Sequence, residues 1–316
     1  MTTTSGSGEH MGKMAVAVVN YNTCRELERC LASIVPEAPD ELLVIDNGST
    51  DGSIAMVRRR FPDVRLQVNA ENHGYGAAGN QALRLTASDY LLLLNSDTVL
   101  EAGSLAALRD YMDSHPQAAV AGPRLVNPNG SLQPSCYPFP TPFQLALGSS
   151  GLGALTSRLP GVRNLSLRWW PHDRDRAVPW VLGAALVLRR GPVTALGGFD
   201  ESFFMYYEEV DLCYRLALAD HETHFTPATT IMHVGGASTS KAGSDMTVQW
   251  FRSLRHFYRK HYPPSWAGAL GLYGQVIASG RWLRARAQMM LRPSERAEHS
   301  LLTSRLLLHH VRHAND

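Results

Sequence analysis

The chain has 316 residues, 44% hydrophobic and 18% charged, a balance ordinary for a globular enzyme with enough residues to bury a core. Its four cysteines, Cys24, Cys30, Cys136 and Cys213, form no C-x-x-C pair. That argues against a disulfide framework or a cysteine zinc site and fits a reducing compartment. The formal charge of +2 is uneven: from Lys241 onward there are 12 Lys/Arg against 4 Asp/Glu, or +8, which leaves −6 on the rest. A basic C-terminal part on an acidic body points to an anionic partner, or is simply a solvated helical surface.

Residues 1–13 carry no apolar signal region and read as a disordered leader. From residue 14, short apolar runs alternate with helical patterns, the signature of an α/β domain. "MAVAVVN" (14–20) reads as a buried strand, followed by a helix from Cys24 with Thr23 as its N-cap. "ELLVID" (41–46) is the second strand, and a helix follows over 53–60. "VRLQVN" (64–69) is the third, with a glycine segment leading into a helix over 77–86. "DYLLLLN" (89–95) is the fourth, and its unbroken leucines suit a central strand covered on both faces. A helix over 101–114 and a strand over 118–123 complete this half.

Beyond it, "LVNPNGSLQ" (125–133) reads as a hairpin around Asn-Gly, and a proline-rich loop runs to about 160. "VPWVLGAALVLRR" (178–190) is strand-like, 203–219 enters a helix, and 222–236 reads as two short strands. The tail is helical through 249–262, 281–291 and 294–313. Two stretches lack charge, 131–157 and 263–280, but their prolines and glycines argue against a membrane-spanning helix.

The polar residues cluster at strand ends. Asn20-Tyr21-Asn22 follows the first strand, Asp46-Asn47-Gly48-Ser49 the second and Asn95-Ser96-Asp97 the fourth. In an open α/β sheet that edge holds the ligand crevice. Asp97, at the end of a buried strand, suits a hard divalent cation, or caps the next helix. The segment "HGYGAAGN" contains Gly74-x-Gly76-x-x-Gly79, the spacing of a dinucleotide-binding fingerprint. It follows the third strand instead of the first, which argues against an NAD-dependent oxidoreductase. Beside Asn72 and Asn80, these glycines read as a loop that lets backbone approach a ligand.

Taken in order and spacing, "VVNYNT", "VIDNGSTDGS", "ENHGYGAAGNQAL", "LLLLNSDT", "VLGAALVLRR", "LGGFDESFFMYYEEVDLCYR" and "HVGGAST" make the chain resemble the inverting glycosyltransferases of family 2 over about residues 14–262. The rhamnosyltransferase branch, active in cell-wall and surface-polysaccharide assembly, is the most similar. The resemblance implies a GT-A fold: a Rossmann-like mixed sheet flanked by helices, with a helical C-terminal extension. It divides the chain into a nucleotide-sugar-binding half (14–123), an acceptor-binding and catalytic half (124–244) and a basic extension (245–316).

The resemblance also implies roles. Asn95-Ser96-Asp97 stands at the D-x-D place, with Asn for the first Asp, so metal ligation by Mg²⁺ or Mn²⁺ falls mainly to Asp97. Asp46 matches the residue that accepts a hydrogen bond from a pyrimidine base. Asn20, Tyr21, Asn22, Asn47, Asn72, Gly74, Gly76 and Asn80 line the donor pocket. Asp51 contacts the nucleotide or caps helix 53–60. Glu209 is the general base, although Asp is commoner there, and Glu208 is the alternative; both otherwise read as acids at a solvated helix N-terminus. Asp211 and Arg215, four apart on a helix, form an ion pair. His233 lies near metal and diphosphate, or is structural. Trp180 and Gly183 face the acceptor. Arg259 and Lys260 meet an acceptor diphosphate, or are solvated.

The expected reaction moves a sugar, L-rhamnose from dTDP-L-rhamnose, onto a hydroxyl of a glycan or polyprenyl-diphosphate-linked sugar. A UDP-hexose or UDP-N-acetylhexosamine donor on the same fold and a non-catalytic sugar-nucleotide scaffold are the alternatives. The expected location is cytoplasmic, with the arginines around Trp282 attaching the extension to an anionic membrane face. No nucleic-acid partner is expected, since no such module accompanies the charge.

Overall fold

Strand β1 (Met14–Asn20) is buried along its whole length because it sits inside a sheet with partners on both edges. It pairs in parallel with β2 (Glu41–Asp46) on one side and with β4 (Tyr90–Asn95) on the other, and β3 (Arg65–Val68) lies outside β2. The four leucines of β4 are fully buried. Leu92 and Leu94 enter the core on one face of the sheet, and Leu91 and Leu93 the core on the other. That two-sided burial is why the run is continuous and not alternating.

The computed structural model describes residues 11–149, 170–236 and 246–291, together with positions 167, 301 and 305. Among them, the second half of the chain adds its strands to the same sheet. β11 (Ala185–Arg189) runs antiparallel to β4, and β6 (Ala118–Val126) runs antiparallel to β11. β12 (Glu222–His233) is parallel to β6, and the short β5 (Thr98–Leu100) closes that edge. The order is β3-β2-β1-β4-β11-β6-β12-β5, with β7 (Leu132–Gln133) on β6 and β9 (Arg176–Val178) on β12. β8 (Cys136–Tyr137) and β10 (Trp180–Val181) form a separate pair. This is the GT-A architecture, a mixed sheet flanked by helices.

The helices are α1 (Cys24–Ile34), α2 (Ser53–Arg60), α3 (Tyr75–Leu85), α4 (Ser104–Ser114), α5 (Pro142–Ser149), α6 (Arg190–Ala195), α7 (Glu208–Leu218), α8 (Met246–His261) and α9 (Pro264–Leu291). Phe251, Leu254, Phe257 and Tyr258 of α8 pack between Phe203, Tyr207 and Val210 on one side and Leu270 and Ala278 of α9 on the other. The basic extension is thereby built onto the segment that enters α7.

Several local expectations change. Residues 222–233 form one strand, not two; Pro227 has no N–H to give the ladder, and the register slips between Thr226 and Thr230. The run 178–190 breaks into β10 and β11, with Gly183 between them. Thr23 stands at the start of α1 but makes no capping bond, because its hydroxyl is spent on Asn20 and Ser96. Asp51 supplies the cap instead. It accepts from the Cys24 N–H at 2.8 Å and from the Ser53 N–H at 3.1 Å, tying α1 to α2. Residues 264–291 are one continuous helix despite four glycines, and no described helix is long and apolar enough to cross a membrane. Of the expected helix 294–313 only positions 301 and 305 are described, and the leader up to residue 10 lies outside the described residues.

Candidate active site

The parallel strands all end at the same rim. Asn20 pairs with Asp46 across β1 and β2, and Val19 pairs with Asn95 across β1 and β4. The start of β11 meets that rim from the other side, since the Asn95 N–H donates to the Ala184 carbonyl at 3.0 Å. The β12–β5 pairing sets His233 opposite Thr98, beside Asp97. A cleft of about 270 Å³ opens there. Tyr21, Asn47, Asn72, Asn95 and Asp97 form its wall on the first-half side, and Gly183, Glu208, Glu209 and His233 on the other.

Asp97 and His233 face each other with Oδ1 and Nε2 3.3 Å apart, both almost fully buried. His233 Nδ1 donates to the Gln133 side-chain oxygen at 2.8 Å. In the neutral ring that bond leaves the Nε2 lone pair toward Asp97 and the cleft, the tautomer a metal ligand needs. Asn95 lies 3.4 Å from the same Nε2. A carboxylate and an imidazole that converge on open space fit a divalent cation whose remaining ligands come from a diphosphate.

Glu208 and Glu209 open α7, and both are buried. They do not sit at a solvated helix end. Burial pushes the Glu208 carboxyl well above the usual range, and the neighbouring Glu209 charge pushes it further. Burial also raises Glu209, but N–H donors, including Gly183 at 3.3 Å, oppose that rise. Glu209 therefore ionises first and Glu208 holds its proton longer. The backbone entering α7 is strained: Tyr206 and Tyr207 have φ of 66° and 70°, a region costly for bulky residues. Such strain persists only where the surrounding packing imposes it, here the cluster of Phe203, Tyr207 and Val210 with Phe251, Leu254, Phe257 and Tyr258.

Other expected residues stand behind the wall. Asp46 is completely buried. Its carboxylate accepts from Asn20 Nδ2 at 2.7 Å and from the Ser49 N–H at 2.8 Å. No exposed oxygen is left for a base in this arrangement; Asn47 borders the cleft, but its side chain is likewise engaged, donating to the Gly74 carbonyl at 3.1 Å and accepting from Asn69 Nδ2 at 2.8 Å. Asn20 and Ser96 are likewise internal, joined through Thr23, and Asn22 accepts from the Thr50 N–H. Asn80 turns inward, bonding Phe199 at 2.8 and 2.9 Å and Glu201 at 2.9 Å. Trp180 donates to the Pro138 carbonyl and stacks on Tyr137, away from the cleft. Lys260 is bound to Asp200 and Asp211. Asp211 does pair with Arg215, at 2.7 Å, and also with His261 at 2.6 Å.

The glycine segment is not a loop over a ligand. Gly76 and Gly79 lie inside α3. A Cβ on Gly79 would stand 2.7 Å from the Phe199 ring, and one on Gly76 3.3 Å from Glu208. These glycines let α3 approach the segment that carries the acids. Gly74, with φ of 88°, turns the chain against Phe204, whose carbonyl a Cβ would clash with.

Sequence reasoning missed Tyr75, whose hydroxyl donates to the Gly183 carbonyl at 2.5 Å, and the apolar wall of Phe204, Met205 and Tyr206. The aromatic run before "EEVD" was the available signal.

Residues 15–143 match the profile described as glycosyl transferase family 2. An N-acetylglucosaminyl-diphospho-decaprenol L-rhamnosyltransferase of Mycobacterium tuberculosis is 30% identical over 301 residues, covering 88% of this chain and 96% of that protein. The rhamnosyltransferase WbbL of Escherichia coli is 28% identical, covering 51% of this chain and 61% of that one. Among solved structures, a mannosyltransferase from Pyrobaculum calidifontis in complex with GDP-Man and Mn²⁺ superposes with a TM-score of 0.53 at 19% identity, covering 96% of this chain and 76% of that one. GalNAc-T7 with UDP, GalNAc and Mn²⁺ gives 0.55 at 14% identity, covering 78% and 48%.

Proposed function

The chain belongs to glycosyltransferase family 2, and from that premise we propose that it transfers L-rhamnose from dTDP-L-rhamnose, with inversion, to a hydroxyl of a polyprenyl-diphosphate-linked N-acetylglucosamine. The observation that carries the reading is the pair of buried acids, Glu208 and Glu209, on the same cleft as Asp97 and His233. The mycobacterial relative, matched over 96% of its length, supports the choice of sugar and acceptor by its name.

In this reading the donor diphosphate lies toward Asp97, Asn95 and His233, and its nucleoside toward Tyr21, Asn47 and Asn72. Asp97 and His233 would hold Mg²⁺ or Mn²⁺, which when bound offsets the charge of the departing nucleotide diphosphate. Glu209, ionised and held by the Gly183 N–H, takes the proton of the acceptor hydroxyl as its oxygen attacks the anomeric carbon. The leaving diphosphate departs from the opposite face, so the single displacement inverts the centre. Glu208 keeps its proton and adds no second charge to the site. Phe204, Met205 and Tyr206 line the acceptor side and exclude water. Asp46 acts behind the wall, fixing Asn20 and Ser49 at the strand end.

The test is a donor screen with a polyprenyl-diphosphate N-acetylglucosamine acceptor, with and without a chelator. Turnover with dTDP-L-rhamnose, lost on chelation and restored by Mg²⁺ or Mn²⁺, is the expected result. Turnover only with a UDP-hexose or UDP-N-acetylhexosamine refutes the donor, and binding of nucleotide sugars without turnover refutes catalysis.

A further inference from the structure

A helix packed on one side needs one apolar face, and α9 has two. Leu270, Ala278 and Ala285 are buried on its inner face. On the outer face Leu272, Val276, Leu283 and Met290 are 65%, 63%, 59% and 79% exposed. At 3.6 residues per turn these four fall within about 40° of one another, on the side opposite the buried three. The stripe runs for about 27 Å at 1.5 Å per residue.

The charge on this helix is of one sign. α9 contains Arg281, Arg284 and Arg286 and no Asp or Glu, and all three arginines are exposed. Arg286 lies over the Trp282 ring, 5.1 Å from its centroid. By the same 100° step Arg286 and Trp282 flank the stripe, Arg284 stands to the side and Arg281 lies on the inner half of the helix. An apolar stripe flanked by a cation and an aromatic ring matches the layered chemistry of a lipid surface, acyl chains below and anionic headgroups above. A second copy of this helix brings no complementary charge.

We propose that the outer face of α9 is a docking surface for an anionic phospholipid bilayer, on which the helix lies in the plane without crossing. The inner face of α9 continues through α8 to Tyr206 and Tyr207, the residues that lead into the two acids. Docking through α9 would therefore hold the cleft near the membrane; that use rests on the proposed lipid-linked acceptor, while the binding itself does not.

The experiment is sedimentation of the full chain with phosphatidylcholine vesicles, with and without phosphatidylglycerol, in the absence of donor and acceptor. The expected result is binding only to the anionic vesicles. R281Q/R284Q/R286Q should weaken it roughly 5- to 30-fold, from the one or two arginines near the bilayer, and L272S/V276S/L283S should abolish it. Circular dichroism and urea denaturation of both variants should match the unsubstituted protein. Absence of binding to anionic vesicles overturns the proposal, as does binding that both variants retain. A self-association in analytical ultracentrifugation that the serine variant abolishes, without vesicle binding, assigns the face to a second copy and also overturns it. Because no turnover is read, failure here is distinct from failure of the rhamnosyl reading.

Discussion

The two acids at the start of α7 should separate cleanly on substitution. Glu209→Gln removes the group proposed to take the acceptor proton and leaves a side chain of the same size that still faces the Gly183 N–H. General-base catalysis contributes about 10²- to 10⁴-fold, so kcat should fall by that factor, about 3 to 5 kcal/mol in the barrier. Donor affinity should stay unchanged, because the proposed donor position lies toward Asp97. Glu208→Gln is a different perturbation. Burial and the Glu209 charge keep Glu208 protonated above the ordinary carboxyl range, and Gln carries the same zero charge. Activity should therefore stay within a few-fold. The sign of the pH dependence follows from Glu209. Burial raises its pKa above the usual value of about 4.3, so kcat/KM should fall as pH drops through that raised value, on an acid limb less acidic than a solvated Glu would give. In Glu208→Gln the limb should stay in place, since the neighbour is neutral in both proteins while Glu209 titrates. Release of nucleotide diphosphate with acceptor present, across pH, measures all of this. Glu209→Gln within a few-fold of the unsubstituted enzyme, or Glu208→Gln as damaged as Glu209→Gln, refutes the assignment.

Much of the fold was legible because its strongest signals are local. The Leu91–Leu94 run needs cover on both faces, and the structure supplies it on both sides of the sheet. The rim was legible for a related reason: polar residues directly after buried strands have to meet there, whatever the helices do. Their division of labour was not. Asp46 and Asn47 are adjacent and both polar, and only the direction of the strand end decides which one faces the cleft. Asp46, at the end of β2, is tied to Asn20 and Ser49, while Asn47, the next residue, borders the cleft although it too is bonded, to Gly74 and Asn69. Asn80 misled for the same reason, since its partners at Phe199 and Glu201 lie about 120 residues away in sequence. Tyr75 acts through the Gly183 carbonyl, a contact no local pattern carries. The glycine spacing was the hardest to read, because a phosphate-binding loop and a helix packed tightly on its neighbour ask for the same residue.

Two substitutions test the packing that supports the site. Burial alone would raise the Asp211 carboxyl, but hydrogen bonds from His261, Lys260 and Arg215 outweigh it and hold the group below its usual range. Stability from this cluster is present above the unfolded carboxyl pKa of about 3.9 and is lost as pH falls through the lower folded value. Asp211→Ala leaves Arg215 and Lys260 without their shared buried anion, and urea denaturation should show a loss of about 3 to 5 kcal/mol. Gly79→Ala decides what the glycines are for. If the segment is a loop that admits a ligand, alanine in it should weaken donor binding and leave stability alone. If Gly79 is the contact between α3 and the segment before the acids, two effects compete. Alanine favours the helix by about 1 kcal/mol. Its Cβ would stand 2.7 Å from the Phe199 ring and 3.0 Å from Leu93 Cδ2. Overpacking of that kind costs about 1 to 3 kcal/mol. Phe199 cannot retreat freely, because its backbone is held at both N–H and carbonyl by Asn80. The steric cost therefore matches or exceeds the helix gain, and urea denaturation should show a net loss of up to about 2 kcal/mol with donor affinity unchanged. A stabilised Gly79→Ala protein with weakened donor binding would return the glycines to the ligand.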